Sequence, residues 1–140
     1  MKTLAYIAVL ACYAAPAFAD GDVANGEAQF ARQCVACHIV RDPSGQVLAG
    51  RSAKAGPNLY GIASRPVASA AGFRYGDSIA KVGVTGMVWS EDDFTDYVQN
   101  PTQWLRDTLD DRRARSKMGY KVRTSQEPLD IFAYLSALAP

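Results

Sequence analysis

Histidine occurs once in this sequence and cysteine three times, and that scarcity removes whole classes of chemistry. A structural zinc site takes four ligands from Cys and His, whereas the chain offers only Cys34, Cys37, His38 and the distant Cys12. An excess of positive charge is missing as well, because 15 Lys and Arg face 14 Asp and Glu. Nucleic-acid binding calls for a strongly basic domain and is not expected. No apolar run is long enough to cross a bilayer as a helix; the one from Thr3 to Ala15 stops short.

That run has another reading. Met1-Lys2 supplies a short positive region, Thr3 to Ala15 an apolar stretch, and Ala17-Phe18-Ala19 the small residues of a cleavage point. Together they read as a secretory signal peptide. Cleavage after Ala19 is expected, so residues 1–19 are the signal and residues 20–140 one domain of ordinary size. Val9-Leu10-Ala11-Cys12 loosely resembles a lipoprotein box but comes unusually early. Export places the chain where free thiols tend toward disulfides, so Cys34 and Cys37 need a use.

The use is supplied by Cys34-Val35-Ala36-Cys37-His38. Two cysteines separated by two residues and followed at once by histidine form the attachment signal for c-type haem. Thiols at i and i+3 on a helical turn point to one side and can both add across the vinyl groups of one porphyrin. The next residue then lies beneath the ring, where His38 can reach the iron as a fifth ligand. A disulfide and a thioredoxin-like pair are the plainer readings. Neither requires the adjacent histidine, and the second belongs beside a βαβ pattern.

Along the chain, Asp22 can cap a helix over residues 23–36 with Val23, Phe30 and Cys34 at helical intervals. Gly26 inside it costs about 1 kcal/mol relative to Ala, and its sharper reading is a close crossing by another helix. The C-terminal segment is the natural partner. It opens with Thr124-Ser125-Gln126-Glu127 and Pro128, then carries Leu129, Ile131, Phe132, Tyr134, Leu135 and Leu138, with Phe132 or Tyr134 to fill the space above the glycine. Between these ends, residues 41–71 read as a long loop with turns at Asp42-Pro43-Ser44-Gly45 and Ala55-Gly56-Pro57-Asn58. Strand character is limited to 46–48, and no sheet is expected. Ser90-Glu91-Asp92-Asp93 starts a helix ending near Asn100, and Asn100-Pro101-Thr102-Gln103 starts another carrying Trp104 and Leu105. The charged run 107–117 reads as a solvated loop or an extension of that helix.

A haem iron held by one histidine is an open catalytic or gas-binding site, or a closed electron-transfer site, depending on its other face. With no second histidine, the candidates for that face are Met87, Met118 or no ligand. Methionine is more often core filler than ligand. Met118 lies in a polar stretch, Ser116-Lys117-Met118-Gly119-Tyr120, whereas Met87 lies two residues before Trp89.

These residues, together with Gly26 and Phe30, Gly56-Pro57-Asn58-Leu59-Tyr60-Gly61, Phe73 and Tyr75, Trp89, Tyr97 with Asn100-Pro101, Lys117-Met118 and Ile131-Phe132-Ala133-Tyr134-Leu135, carry a resemblance. The sequence resembles the class I cytochrome c family, most of all its bacterial cytochrome c2 branch, over essentially all of residues 20–140. The resemblance implies an all-α, single-domain fold of about four to five helices, with long loops wrapped around one covalent haem c and the terminal helices crossing. It also implies Met118 as sixth ligand and the Pro57 carbonyl as acceptor for the other ring N–H of His38. Tyr75 and Trp89 are then donors to a buried propionate, Arg65 offsets its charge, and Tyr97 lies close to the methionine ligand. Asp107 to Arg115 makes the segment before Met118 longer than in mitochondrial relatives, and Tyr120 stands where many relatives have phenylalanine.

The expected function is that of a soluble periplasmic one-electron carrier, not an enzyme, of relatively high potential because Met/His ligation raises it. A cytochrome bc complex is the implied donor, and a photosynthetic reaction centre, oxidase or reductase the acceptor. Arg112, Arg113, Arg115, Lys117, Lys121 and Arg123 gather around Met118 as a candidate docking face for an acidic partner. A monomer without a permanent membrane anchor is expected. The alternatives are an open-site haem enzyme or gas sensor, and a bound subunit of a respiratory complex.

Overall fold

The computed structural model describes residues 21–139; the signal segment expected at residues 1–19 lies outside them. Among the described residues, the elements run in the order α1 (Val23–Gln33), β1 (Val40–Arg41), β2 (Val47–Ala49), a single 3-10 turn (Ile62–Ser64), α2 (Asp77–Val84), α3 (Glu91–Gln99), α4 (Pro101–Leu109) and α5 (Glu127–Ala137). No helix among them is long and apolar enough to cross a membrane.

The helix starts follow local chemistry. Asp22 caps α1 by accepting from the N–H groups of Ala24 and Asn25 at 2.9 and 3.0 Å, which satisfies donors with no partner inside the helix. Ser90 does the same for α3 through Asp93 N–H, at 3.1 Å. Pro101 occupies the first turn of α4, but the Asn100 side chain makes no capping bond there. Thr124 accepts from the N–H of Glu127 at the entry to α5.

Helix α1 stops at Gln33, three residues earlier than its sequence pattern predicts. Beyond it the N–H groups of Cys37 and His38 both turn back to the Cys34 carbonyl, at 3.1 and 2.8 Å, and this tight turn ends the regular ladder. Two further features depart from expectation. Residues 40–49 form a two-stranded antiparallel ribbon where no sheet is expected; its reversal is the predicted Asp42 turn, in which Asp42 accepts from Gln46 N–H and the Ser44 hydroxyl. Helix α2 has no counterpart in the sequence reading, because Gly76 at its start offers no side chain to cap it.

Helices α1 and α5 cross where Gly26 faces the backbone of α5. A Cβ on Gly26 would collide with the Asp130 carbonyl and lie 2.8 Å from the Cβ of Tyr134. Tyr134 is thus the residue above the glycine, and its ring packs against Phe30 at 5.8 Å. Phe132 turns instead toward Phe94. Phe30, Ile131 and Leu135 are each 1% exposed, so the crossing is a sealed part of the core that braces the turn carrying Cys34.

Candidate haem site

The turn 34–38 leaves α1 with its functional groups uncommitted. Cys34 and Cys37 are not disulfide-bonded. Burial, and then the neighbouring Cys37, push the Cys34 thiol up to about 12. A redox dithiol works as a thiolate and needs the opposite shift.

His38 is positioned by the segment that runs alongside it. Gly56 N–H bonds to the Cys37 carbonyl at 2.7 Å, and Leu59 N–H to that of Ile39 at 2.9 Å. Asn58 accepts from Arg41 N–H and donates to the Arg41 carbonyl. These bonds stitch residues 56–59 along residues 37–41 and set the Pro57 carbonyl 3.0 Å from His38 Nδ1. A carbonyl can only accept, so Nδ1 carries the proton and Nε2 keeps its lone pair. Burial lowers the His38 pKa, with the Pro57 bond opposing, which favours the neutral, metal-binding form. A Cβ on Gly56 would overlap the imidazole, so the glycine is what lets the backbone press against the ring.

Elsewhere in the fold, aromatic residues and the segment after α4 come together. Helix α4 ends where Asp110 adopts a left-handed conformation (φ 47°), one that Asp tolerates better than most residues. The following chain is pinned to the fold by Ala114, which is buried, by Arg115 N–H to the Ser78 hydroxyl, and by Ser116 N–H to Thr102 Oγ1. Farther on, Val122 N–H bonds to the Val98 carbonyl at 2.9 Å. Met118 sits half-buried between these anchors. Its N–H donates to Ser116 Oγ at 3.0 Å, and that oxygen is 3.1 Å from the Tyr97 hydroxyl. Ser116 Oγ thus links the Tyr97 hydroxyl to the backbone of Met118. Ser116 is the joint between them, a residue the sequence reading passed over.

The remaining expected residues come together in a second cluster. Residues 65–67 pair with 87–89 through Val67 N–H to the Met87 carbonyl and Trp89 N–H to that of Arg65. Trp89 stacks on Trp104 at 5.3 Å and meets Tyr97 edge-on at 5.2 Å. The Tyr75 hydroxyl accepts from Ala70 N–H, which leaves its own proton free to donate. Arg65 directs its guanidinium to the carbonyls of Asn58 and Tyr60, so it also braces the loop that holds Pro57. Met87 packs against the core and offers its carbonyl to the ladder. Two unpaired thiols, a neutral imidazole with one free nitrogen and a free phenolic proton form a donor set that fits a haem.

The geometry thus defines a c-type haem protein of the small helical kind. No family model matches the chain. It is 52% identical over 119 residues to the cytochrome c2 of Rhodovulum adriaticum, covering 85% of this chain and 94% of that one. It is 44% identical over 139 residues to the cytochrome c-551 of Roseobacter denitrificans, covering 99% and 96%. The solved structure of cytochrome c2 from Rhodobacter sphaeroides superposes with a TM-score of 0.82 at 40% identity, over 85% of this chain and 97% of that one. The chain belongs to the cytochrome c2 family. It carries one covalent haem c, through Cys34 and Cys37, and its function is electron transport.

Proposed function

We propose that this chain is a periplasmic one-electron shuttle whose iron is held by His38 and Met118 and which docks on membrane redox complexes through a basic rim. The observation that carries the reading is the 3.0 Å contact between His38 Nδ1 and the Pro57 carbonyl, which frees Nε2 on the residue next to an attachment cysteine. The bound haem supplies the Fe(III)/Fe(II) couple. His38 is fixed in tautomer and orientation by a backbone acceptor, as metal-ligating histidines generally are. Met118 is held between Ser116 and Val122, so the thioether needs little movement to stay in place. A soft thioether favours ferrous iron, and Tyr75, Trp89 and Arg65 offer donors and charge for a propionate.

Charge placement supports the docking part. Arg112, Arg113, Arg115, Lys117, Lys121 and Arg123 are all exposed and lie within six residues of Met118 in the chain. Lys117 has a second task, since its ammonium donates to the carbonyls of Arg74 and Tyr75. The acidic residues Glu91, Asp92, Asp93 and Asp96 cluster on α3 instead. The signal-like segment at 1–19 supports export, and a monomer with residues 20–140 as its domain is part of the same reading. The experiment is intact and peptide mass spectrometry of the protein from a periplasmic fraction. It should give a chain beginning at Asp20 with one haem on the peptide containing Cys34 and Cys37. Retention of residues 1–19 in a membrane fraction would overturn cleavage and the soluble form, leaving the segment as an anchor.

A further inference from the structure

A line of side-chain hydrogen bonds runs the length of α1 and links the buried end of the helix crossing to the loop that carries Met118. Asp130, 1% exposed, accepts at Oδ1 from Asp22 N–H and from Gln126 Nε2, both at 2.8 Å, and at Oδ2 from Asn25 Nδ2. Asn25 Oδ1 accepts from Gln29 Nε2 at 3.5 Å, and Gln29 Oε1 from Gln33 Nε2 at 2.8 Å. Gln33 Oε1 accepts from the Tyr120 hydroxyl at 2.9 Å. Asn25, Gln29 and Gln33 are spaced by four and so lie above one another on one helix face.

The direction of this line is dictated from its buried end. An ionised carboxylate only accepts, so Asn25 must turn its amide nitrogen toward Asp130 and its oxygen away. That oxygen selects the nitrogen of Gln29, whose oxygen selects the nitrogen of Gln33. What arrives beside Cys34 is therefore an acceptor, and only a donor can satisfy it. Tyr120 supplies that donor from a position two residues beyond Met118 and 87 residues from Gln33 in the chain. A phenylalanine there would keep the ring and lose the link.

We propose that Asp130, Asn25, Gln29, Gln33 and Tyr120 act as one directed ladder that clasps the Met118 loop to the haem-attachment turn, making Tyr120 and Gln33 positioning residues for the sixth-ligand side of the iron. The inference rests on the reading that Met118 is that ligand. Gln29 is the buried middle rung, 6% exposed, and its replacement by Leu takes the bonding partner from both Asn25 Oδ1 and Gln33 Nε2, which loosens the line at both ends. Bonds that polarise one another along a chain strengthen together, and removal of any rung should be felt at Tyr120.

The test uses the ferric holoprotein and imidazole. At saturating imidazole, the rate at which the far-red sulfur-to-iron band is bleached reports opening of the Met118 side. Tyr120→Phe should raise that rate about two- to tenfold, the range of one net hydrogen bond. Gln29→Leu should raise it comparably, and the double variant no further than the larger single effect, because coupled rungs are not additive. Gln33→Leu replaces Gln29→Leu if that variant does not fold. An unchanged rate in Tyr120→Phe, or single effects that multiply in the double variant, would overturn the ladder. If the wild type lacks the far-red band, the ligand assignment fails separately. Amide hydrogen exchange at Gly119, Tyr120 and Lys121 then decides: acceleration in both single variants supports the clasp, and unchanged exchange refutes it.

Discussion

The imidazole of His38 is held from two sides: its Nδ1 lies 3.0 Å from the Pro57 carbonyl, and the Gly56 backbone lies so close that no side chain fits between. Orientation of the ring and absence of a side chain at position 56 are one structural fact. Gly56→Ala should displace either the ring or the 56–59 segment. The expected cost is about 1 to 3 kcal/mol, the usual range for overpacking, read by denaturant unfolding of the holoprotein. A shifted ferric spectrum should accompany it. Unchanged stability and spectrum would mean that the segment yields freely.

Gly26 makes the corresponding demand at the helix crossing. Gly26→Ala gains helix propensity of roughly 1 kcal/mol but drives a methyl group into the α5 backbone at Asp130. Backbone cannot rotate aside, so the collision wins. Net destabilisation should exceed about 1 kcal/mol, whereas Ala28→Gly on the exposed face of α1 should lose only the propensity difference. Thermal unfolding of the two variants separates packing from propensity.

Asp130 ties that crossing together electrostatically. Burial alone would raise its pKa, but the bonds donated by Gln126, the Asp22 N–H and Asn25 outweigh it and hold the carboxyl below its ordinary value of 3.8. A depressed carboxylate pKa contributes stability above the unfolded value, and that stability is lost as the pH falls through the folded one. Asp130→Asn should therefore destabilise the protein at neutral pH by about 1.5 to 3 kcal/mol, the range for hydrogen bonds to a charged group. The gap to wild type should narrow below pH 3.8. Parallel acid-unfolding curves would contradict the ionised latch.

The basic rim predicts a salt-dependent encounter. Exposed charges farther apart than about 10 Å are screened at 0.1 M salt, so the second-order rate with an isolated cytochrome bc complex should fall as ionic strength rises. Lys121→Glu with Arg123→Glu should lower the rate at low salt and flatten its salt dependence. These positions are cleaner probes than Lys117, whose ammonium also binds the carbonyls of Arg74 and Tyr75. A rate indifferent to salt would remove the rim from the docking reading.

What the sequence discloses follows the range over which each signal acts. The haem motif and the helix starts at Asp22, Ser90 and Pro101 are local, a few residues deciding each, and they are where the structure agrees. Helix α2 escapes because Gly76 carries no capping side chain, and the ribbon at 40–49 because strands of two and three residues are too short to show alternation. The rest is long-range. Asn25 finds its acceptor 105 residues away and Gln33 its donor 87 residues away; helical spacing places the amides on one face but names neither partner. Met118 is equally indistinct from Met87 in isolation. Only the family resemblance separates them in the sequence, and the bonds that hold its segment, from Arg115, Ser116 and Val122 to Ser78, Thr102 and Val98, are all long-range.

That distinction is the centre of the account, and the ferric absorption spectrum of three holoproteins decides it. Wild type and Met87→Ala should both show the far-red sulfur-to-iron band and a high midpoint potential, because Met87 only fills the core. Met118→Ala should lose the band and fall in potential, since Met/His ligation is what raises it. A high-spin wild-type spectrum, or a band that survives Met118→Ala and disappears in Met87→Ala, would contradict the assignment of Met118 to the iron.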